Sequence, residues 1–294
     1  MQCRVSIGMV AWRAPLRVDL AGGWTDLAPY THDHGGEVVN FTIDKWVTAR
    51  LNEAGEVEFN FDVPAGSGLG TSGALNVARI AVLQGIEDAD SAPLNELAEA
   101  AYQAENTAGN RCGRQDQWAA VHGGFNRFLF IADSVERLPF EPARSARKWL
   151  NKHLLIAHSG IDHKSGDIQN RVWSCYEAGD QQVIEGLQTI RLAARKMADA
   201  LQRDQRQLVV EALSEVCRGV DAIDPSIHDP FRSVIDPLLS SGTVMAWKAL
   251  GAGAGGCAAI LCNPMAVQKA KSAVEEAGWQ IIDWNYDVAG LVEA

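Results

Sequence analysis

A run of small residues, Pro64-Ala65-Gly66-Ser67-Gly68-Leu69-Gly70-Thr71-Ser72-Gly73-Ala74-Leu75, follows an alternating stretch and opens a helical one. Its three spaced glycines, Gly66, Gly68 and Gly70, free the backbone for positive φ and close approach to a ligand. Thr71 and Ser72 fall where a helix begins, beside its unpaired N–H groups and the positive end of its dipole. Together these features suit an anion as highly charged as a triphosphate. A hydroxyl at Ser72 can also reach a bound Mg²⁺, which takes oxygen ligands. The loop lacks the Gly-Lys-Ser/Thr of a Walker A motif and the spacing of a dinucleotide fingerprint. A glycine-rich turn with no ligand is the competing reading.

A second cluster, Gly251-Ala252-Gly253-Ala254-Gly255-Gly256, lies between two apolar runs, Met245 to Leu250 and Cys257 to Leu261. It reads either as backbone brought close to something or as a tight hairpin. Two such loops in one chain favour the former.

Phosphoryl transfer needs charge neutralisation and a group that orients or deprotonates the acceptor hydroxyl. The stretch Glu105 to Trp118 offers both kinds of residue. Glu105 ends a helix, where the dipole disfavours an acid unless something cationic compensates, and a metal ion would do so. Asp116, with Arg17 beside it in the fold, is a base or an acceptor-orienting group. In Arg17-Val18-Asp19-Leu20-Ala21-Gly22-Gly23-Trp24-Thr25-Asp26 a Gly-Gly turn presents an aromatic ring and a carboxylate. Carboxylates accept from vicinal hydroxyls and rings cover the apolar face of a sugar, although a core Trp and a turn Asp would look the same. Each carboxylate taken alone reads more readily as a solvated surface acid. His32 and His34 read as surface histidines, having no third ligand nearby.

These groups need a scaffold. The chain has 294 residues, 47% hydrophobic and 21% charged, long enough for one large domain or two smaller ones. Its net charge of −11 argues against nucleic acid or a membrane surface as partner. No run approaches the ~20 apolar residues of a membrane span, and Met1 to Val10 is too polar for a signal peptide. The six cysteines, Cys3 among them, show no metal-ligand spacing and no disulfide framework, which predicts a reduced, cytoplasmic enzyme. Strands are predicted at Glu37–Ile43, Lys45–Leu51, Val57–Val63, Phe125–Ile131 and Leu154–His158. Helices are predicted from Ser72 to Gln84, Leu94 to Asn106, Ser165 to Ala178, Gln181 to Gln202, Gln205 to Val220, Phe231 to Leu239 and Met265 to Ala277. The polar segment Arg137 to Lys152, with two prolines, is the candidate domain boundary. The fold class is α+β in two halves.

With Ala14–Asp26, Pro64–Leu75 and Leu250–Leu261 standing in this order, the chain resembles the GHMP kinase superfamily, which includes galactokinase, homoserine kinase, mevalonate kinase and phosphomevalonate kinase. Within it, the Arg17–Asp26 stretch looks like fucokinase. Val39–Lys45, Gly113–Gln117 and the tail from Gly278 to Leu291 look like the heptose 7-phosphate kinase branch. The resemblance implies a two-lobed fold. An N-terminal lobe similar to ribosomal protein S5 domain 2 would span 1–150, and a ferredoxin-like α/β lobe 151–294, with the active site between. It implies an ATP- and Mg²⁺-dependent kinase acting on a small-molecule sugar, as monomer or homodimer. Anomeric O1 of a heptose, a heptose 7-phosphate or an L-fucose-like aldose is the implied acceptor. Gly66, Ser67, Gly68, Leu69, Gly70, Thr71, Ser72 and Gly73 would hold the nucleotide, with Ser72 and Glu105 on the metal. Asp116 and Arg17 would carry the catalysis. Gly23, Trp24, Thr25, Asp26 and Gly253 would meet the sugar. A catalytically silent sensor of sugar or nucleotide on the same fold is the alternative. The chain departs from the family in having only Asn52 to Val63 between the Lys45–Leu51 strand and the phosphate loop, where relatives carry a longer insert with part of the adenine pocket. It also lacks the Arg that heptose kinases tend to carry after the Leu154–His158 strand, for which Lys164 is the possible substitute.

Overall fold

The computed structural model describes residues 11–64, 66–86, 92–107, 111–161 and 165–294. Met1 to Val10, Ala65 and Lys164, all named above, lie outside the described residues. Two antiparallel sheets organise the chain.

The first sheet starts with β1 (Ala11–Ala21), which after a short helix α1 (Tyr30–Asp33) pairs with β2 (Gly36–Leu51). The sequence suggests two strands within β2, and the structure has one of 16 residues. Asp44 and Lys45 interrupt the apolar run but not the hydrogen-bonded ladder. One end of β2 pairs with β4 (Phe125–Ile131) and the other with β3 (Val57–Phe61). Its Gly36–Ile43 half is buried throughout, with α2, α4 and α7 packed against the strand and Trp284 and Tyr286 against Phe41. A register shift at Pro15/Leu16 in β1 accommodates a proline that cannot donate to the ladder.

Helices α2 (Thr71–Leu83), α3 (Leu94–Thr107) and α4 (Gln115–His122) pack together, with α2 and α4 against β1 and β2. Strand β5 (Ser134–Leu138) closes the outer edge. Within the segment from Arg137 to Lys152, the candidate domain boundary, the end of β5 leads to α5 (Arg144–His153), which buries Ala146, Trp149 and Leu150. Its polar composition reflects a short helix with one apolar face.

Strand β6 (Leu154–His158) begins the second sheet. Three helices follow, α6 (Ser165–Glu177), α7 (Gln181–Gln202) and α8 (Arg206–Ile223). Asp180 caps α7, accepting from the backbone N–H groups of Gln182 and Val183. A 3-10 turn at Pro225–Ile227 leads to α9 (Asp229–Ser240). Strands β7 (Val244–Ala249) and β8 (Cys257–Cys262) then flank the second glycine cluster, and α10 (Val267–Glu276) precedes β9 (Gln280–Ile282). The sheet order is β7-β8-β6-β9. The antiparallel pair α7 and α8 touches both sheets, α7 on β1 and β2, α8 on β7 and β1. Finally β10 (Val292–Glu293) returns to pair with β1 in the first sheet. Among the described residues, no helix is long and apolar enough to cross a membrane.

Candidate active site

Two kinds of construction meet in one cleft of about 410 Å³. At one end the wall is backbone. Gly66, Gly68 and Gly70 all adopt positive φ, near 75°. A Cβ on Gly68 would lie 2.3 Å from the Leu250 carbonyl oxygen, and one on Gly251 would lie 2.8 Å from the Cα of Gly68. The two glycine loops therefore pack main chain against main chain, tied by a hydrogen bond from the Cys257 N–H to the Ser67 carbonyl at 2.9 Å. Such an approach excludes any side chain. Gly70 is the N-cap of α2 and provides no side-chain cap, so the positive end of the helix faces the cleft without one.

At the other end the wall is made of charged side chains. Arg17 and Asp19 share one face of β1, being two residues apart on a strand. The Arg17 guanidinium donates to Asp116 Oδ1 at 2.7 Å and to the Gly68 carbonyl at 2.6 Å, bridging the acid to the first glycine loop. Asp116 stands in the first turn of α4, a helix the glycine-rich sequence before it conceals. Glu105, in the last turn of α3, accepts from Ser72 Oγ at 2.5 Å and from Gln117 Nε2 at 2.8 Å. Asp26 accepts from the Gln115 N–H at 3.1 Å and its carboxamide at 3.4 Å, and a Cβ at Gly113 would fall 1.9 Å from its Oδ2. Trp24 lines the cleft from the same turn at φ 79°, a left-handed conformation rare for an aromatic residue. Lys248 on β7 reaches across to Asp19 at 2.5 Å, an ion pair buried on both sides.

Four carboxylates crowd this space, and the electrostatics follow. Burial, then the nearby Asp116 charge, pushes the Asp26 carboxyl up to about 7, with Asp19 adding to the shift. Burial raises Glu105 as well, reinforced by Asp116 and opposed by the hydrogen bonds from Ser72, Gln117 and Asn76. Among the described residues Glu105 has no ion pair with a Lys or Arg. Burial and the neighbouring acids raise the Cys112 thiol, keeping it protonated. The Ser72 hydroxyl and the Glu105 carboxylate, hard oxygen donors in contact, fit a Mg²⁺ ion that would relieve this excess of negative charge.

The structure thus gathers Arg17, Gly23, Trp24, Asp26, Gly66, Gly68, Gly70, Thr71, Ser72, Glu105 and Asp116 around the cleft. Five of the sequence-predicted residues stand behind it instead. Ser67 is fully buried and bonds to Thr71, and Leu69 is in the core. Gly73 lies against Asp116, where a Cβ would come within 2.5 Å of its Cβ. The Thr25 hydroxyl is turned inward, donating to the Gly22 carbonyl at 2.7 Å. Gly253 packs on Ile227, whose Cγ2 would be 2.2 Å from a Cβ there, so Gly251 and Ala252 meet the cleft in its place. A loop's sequence does not say which of its residues turn inward.

Sequence reasoning missed Asp19, Arg111, Gln115, Gln169 and Asn170, which also line the cleft. The period-two relation to Arg17 could have found Asp19. Gln169 and Asn170 lie on α6, distant in sequence from every motif, and gave no signal. Elsewhere the fold brings Cys217, Asp221 and His228 within 4.8 Å of one another. Arg232 already holds Asp221 at 2.6 Å, and the buried His228 ring packs on Trp247 at 4.6 Å, so these groups are engaged with protein partners.

Residues 38–124 match the family described as "GHMP kinases N terminal domain". The chain is 25% identical to D-glycero-alpha-D-manno-heptose 7-phosphate kinase of Campylobacter jejuni, over 95% of this chain and 97% of that protein. It is 24% identical to the bifunctional fucokinase/GDP-fucose pyrophosphorylase of Arabidopsis thaliana, over 93% of this chain but 32% of that longer protein. In structure it resembles a D-glycero-D-manno-heptose 1-phosphate kinase from Bacteroides thetaiotaomicron, with TM-score 0.75 and 21% identity over 97% of this chain and 99% of that one.

Proposed function

From a chain that carries a GHMP kinase N-terminal domain at residues 38–124 and the fold of these kinases throughout, we propose an ATP-dependent sugar kinase, a phosphotransferase with an alcohol group as acceptor. The observation that carries the reading is the Arg17 bridge, one guanidinium joining Asp116 to the backbone of the phosphate loop. A base and an anion cradle held in register by one side chain are what in-line transfer to a hydroxyl requires.

In this reading the glycine loop and the N-terminus of α2 bind the triphosphate. Ser72 and Glu105 hold Mg²⁺, which when bound neutralises phosphate charge. Asp116 takes the proton of the acceptor hydroxyl as that oxygen bonds to the γ-phosphorus. The bond from γ-phosphorus to the bridging oxygen breaks and ADP leaves. Arg17 holds Asp116 in position, and its charge faces the transferring group. Asp26 and Trp24 receive the sugar, with anomeric O1 of a heptose, a heptose 7-phosphate or an L-fucose-like aldose as acceptor. The cleft then lies between lobes of residues 1–150 and 151–294.

ADP release from Mg·ATP, measured across free and phosphorylated aldoses, tests this reading. Turnover on one sugar is expected, falling about 100-fold or more in Asp116→Asn while nucleotide affinity holds. Equal losses of turnover and nucleotide binding would remove Asp116 from the chemistry. Sugar binding without turnover on any nucleotide would make the protein a sensor.

A further inference from the structure

The acceptor end of the cleft has a wall that no motif announced. On α6, residues 166, 169, 170, 173 and 177 share one face by helical spacing. Gly166, Gln169 and Asn170 line the cleft. Further along the same face, Trp173 packs against Trp24 with ring centroids 6.5 Å apart, and Glu177 accepts from Arg111 at 3.0 Å. The helix is therefore fastened to the Gly22–Asp26 turn and to the segment leading into Asp116.

The free part of that face is chemically distinct from the rest of the cleft. Asp19, Asp26, Glu105 and Asp116 are acids that accept hydrogen bonds when ionised, whereas Gln169 and Asn170 each offer a carbonyl and an NH₂ group. Among the described residues no hydrogen bond engages either carboxamide. A Cβ at Gly166 would meet nothing within 4 Å, so the wall stands back from whatever occupies the cleft.

We propose that Gln169 and Asn170 are specificity-determining residues, reading the hydroxyls at the end of the sugar away from the transferred phosphoryl group, with Gly166 leaving room for its exocyclic carbons. The proposal rests on the sugar-kinase reading and deepens it. Neutral carboxamides suit this task because they pair with hydroxyls in either sense and add no charge to an already acidic cleft. The substrate class they imply is an aldose with a hydroxylated exocyclic carbon, distinguished from its deoxy counterpart.

Steady-state kinetics on the preferred aldose and its 6-deoxy analogue, in wild type, Gln169→Ala, Asn170→Ala and Gly166→Leu, decide the matter. Each alanine variant should lose about fivefold in kcat/KM for the parent sugar while changing little for the deoxy analogue, with KM for Mg·ATP constant. Gly166→Leu should raise KM for the sugar and leave nucleotide binding intact. Both carboxamides stand on a helix face open to the cleft, so the alanine variants keep the fold even if Gly166→Leu does not. Parallel losses on the two sugars, or none on either, would overturn the wall and leave the kinase standing. A wild type silent on every sugar would overturn the kinase reading and this inference with it.

Discussion

The two ends of the cleft are built from different materials. The end that the proposed function gives to phosphate is main chain: two glycine loops in contact, with shape fixed by the positions at which no Cβ fits. The acceptor end is side chain: acids, cations, an aromatic ring and carboxamides brought together from β1 and the turn after it, the segment before α4, and α3, α4, α6 and β7. Backbone recognition suits a ligand shared by a whole class of enzymes, since N–H groups are the same in every residue. Side-chain recognition can change with one substitution. The Ser72–Glu105 hydrogen bond joins the two ends at one point, and the Arg17 guanidinium bridges them at another.

Breaking that bridge should have the largest effect. Arg17→Met leaves the half-buried Asp116 unpaired and the Gly68 carbonyl unmatched, losing two charge-assisted hydrogen bonds, and should cost about 3–5 kcal/mol in urea unfolding. Arg17→Lys should restore little of it, because an ammonium cannot reproduce the guanidinium fork. A loss below about 1 kcal/mol would mean that the ends are independent.

Next comes the crowding at the acceptor end. Since the Asp26 carboxyl titrates near 7 in the folded chain against an ordinary value of 3.8, the fold keeps a proton there that the unfolded chain has released. This contribution to stability is full below about pH 4 and is lost as pH rises to about 7. Asp26→Asn, which has no proton to lose, should therefore gain on the wild type between pH 4 and 7 and hold that gain above. The gap of about three pH units sets a ceiling of about 4 kcal/mol. A stability difference flat in pH would show that the acids are not in tension.

The smallest effect belongs to the phosphate end. Gly68→Ala forces a Cβ against the Leu250 carbonyl at φ 76° and should cost about 1–2 kcal/mol, with weaker nucleotide binding in calorimetry. Gly66→Ala, strained by its φ of 74° but clear of any neighbour, should cost less. Equal costs would mean that contact between the loops contributes nothing beyond backbone strain.

The same contrast explains what could be read from the sequence. The phosphate loop is contiguous, so Gly66 to Ser72 carried its own signature, and the long helices and buried strands followed from periodicity. β4 and β6 run from Phe125 to Ile131 and from Leu154 to His158, as the apolar runs indicated. Arg17 and Asp116 could be paired only through the resemblance, since 99 residues separate them. Gln169, Asn170 and Lys248 were invisible because a lone polar residue on a helix or strand looks the same facing water or a cleft. The helix α4 escaped notice because Gly113 and the polar Arg114-Gln115-Asp116-Gln117 run mask an element of only eight residues.

The return of β10 to β1 sets the order in which the molecule can be completed. Residues 285–293 hold Asp44, Thr42, Val121 and Trp12 through hydrogen bonds or strand pairing. On a ribosome, β1 therefore emerges early and waits for a neighbour made some 280 residues later. Until then its edge at Trp12 and Arg13 offers open N–H and C=O groups, the kind of surface that recruits another chain. The glycine loop is thus made long before that edge is covered, so a chain broken off before residue 292 would carry the signature residues of the active site and an unguarded edge.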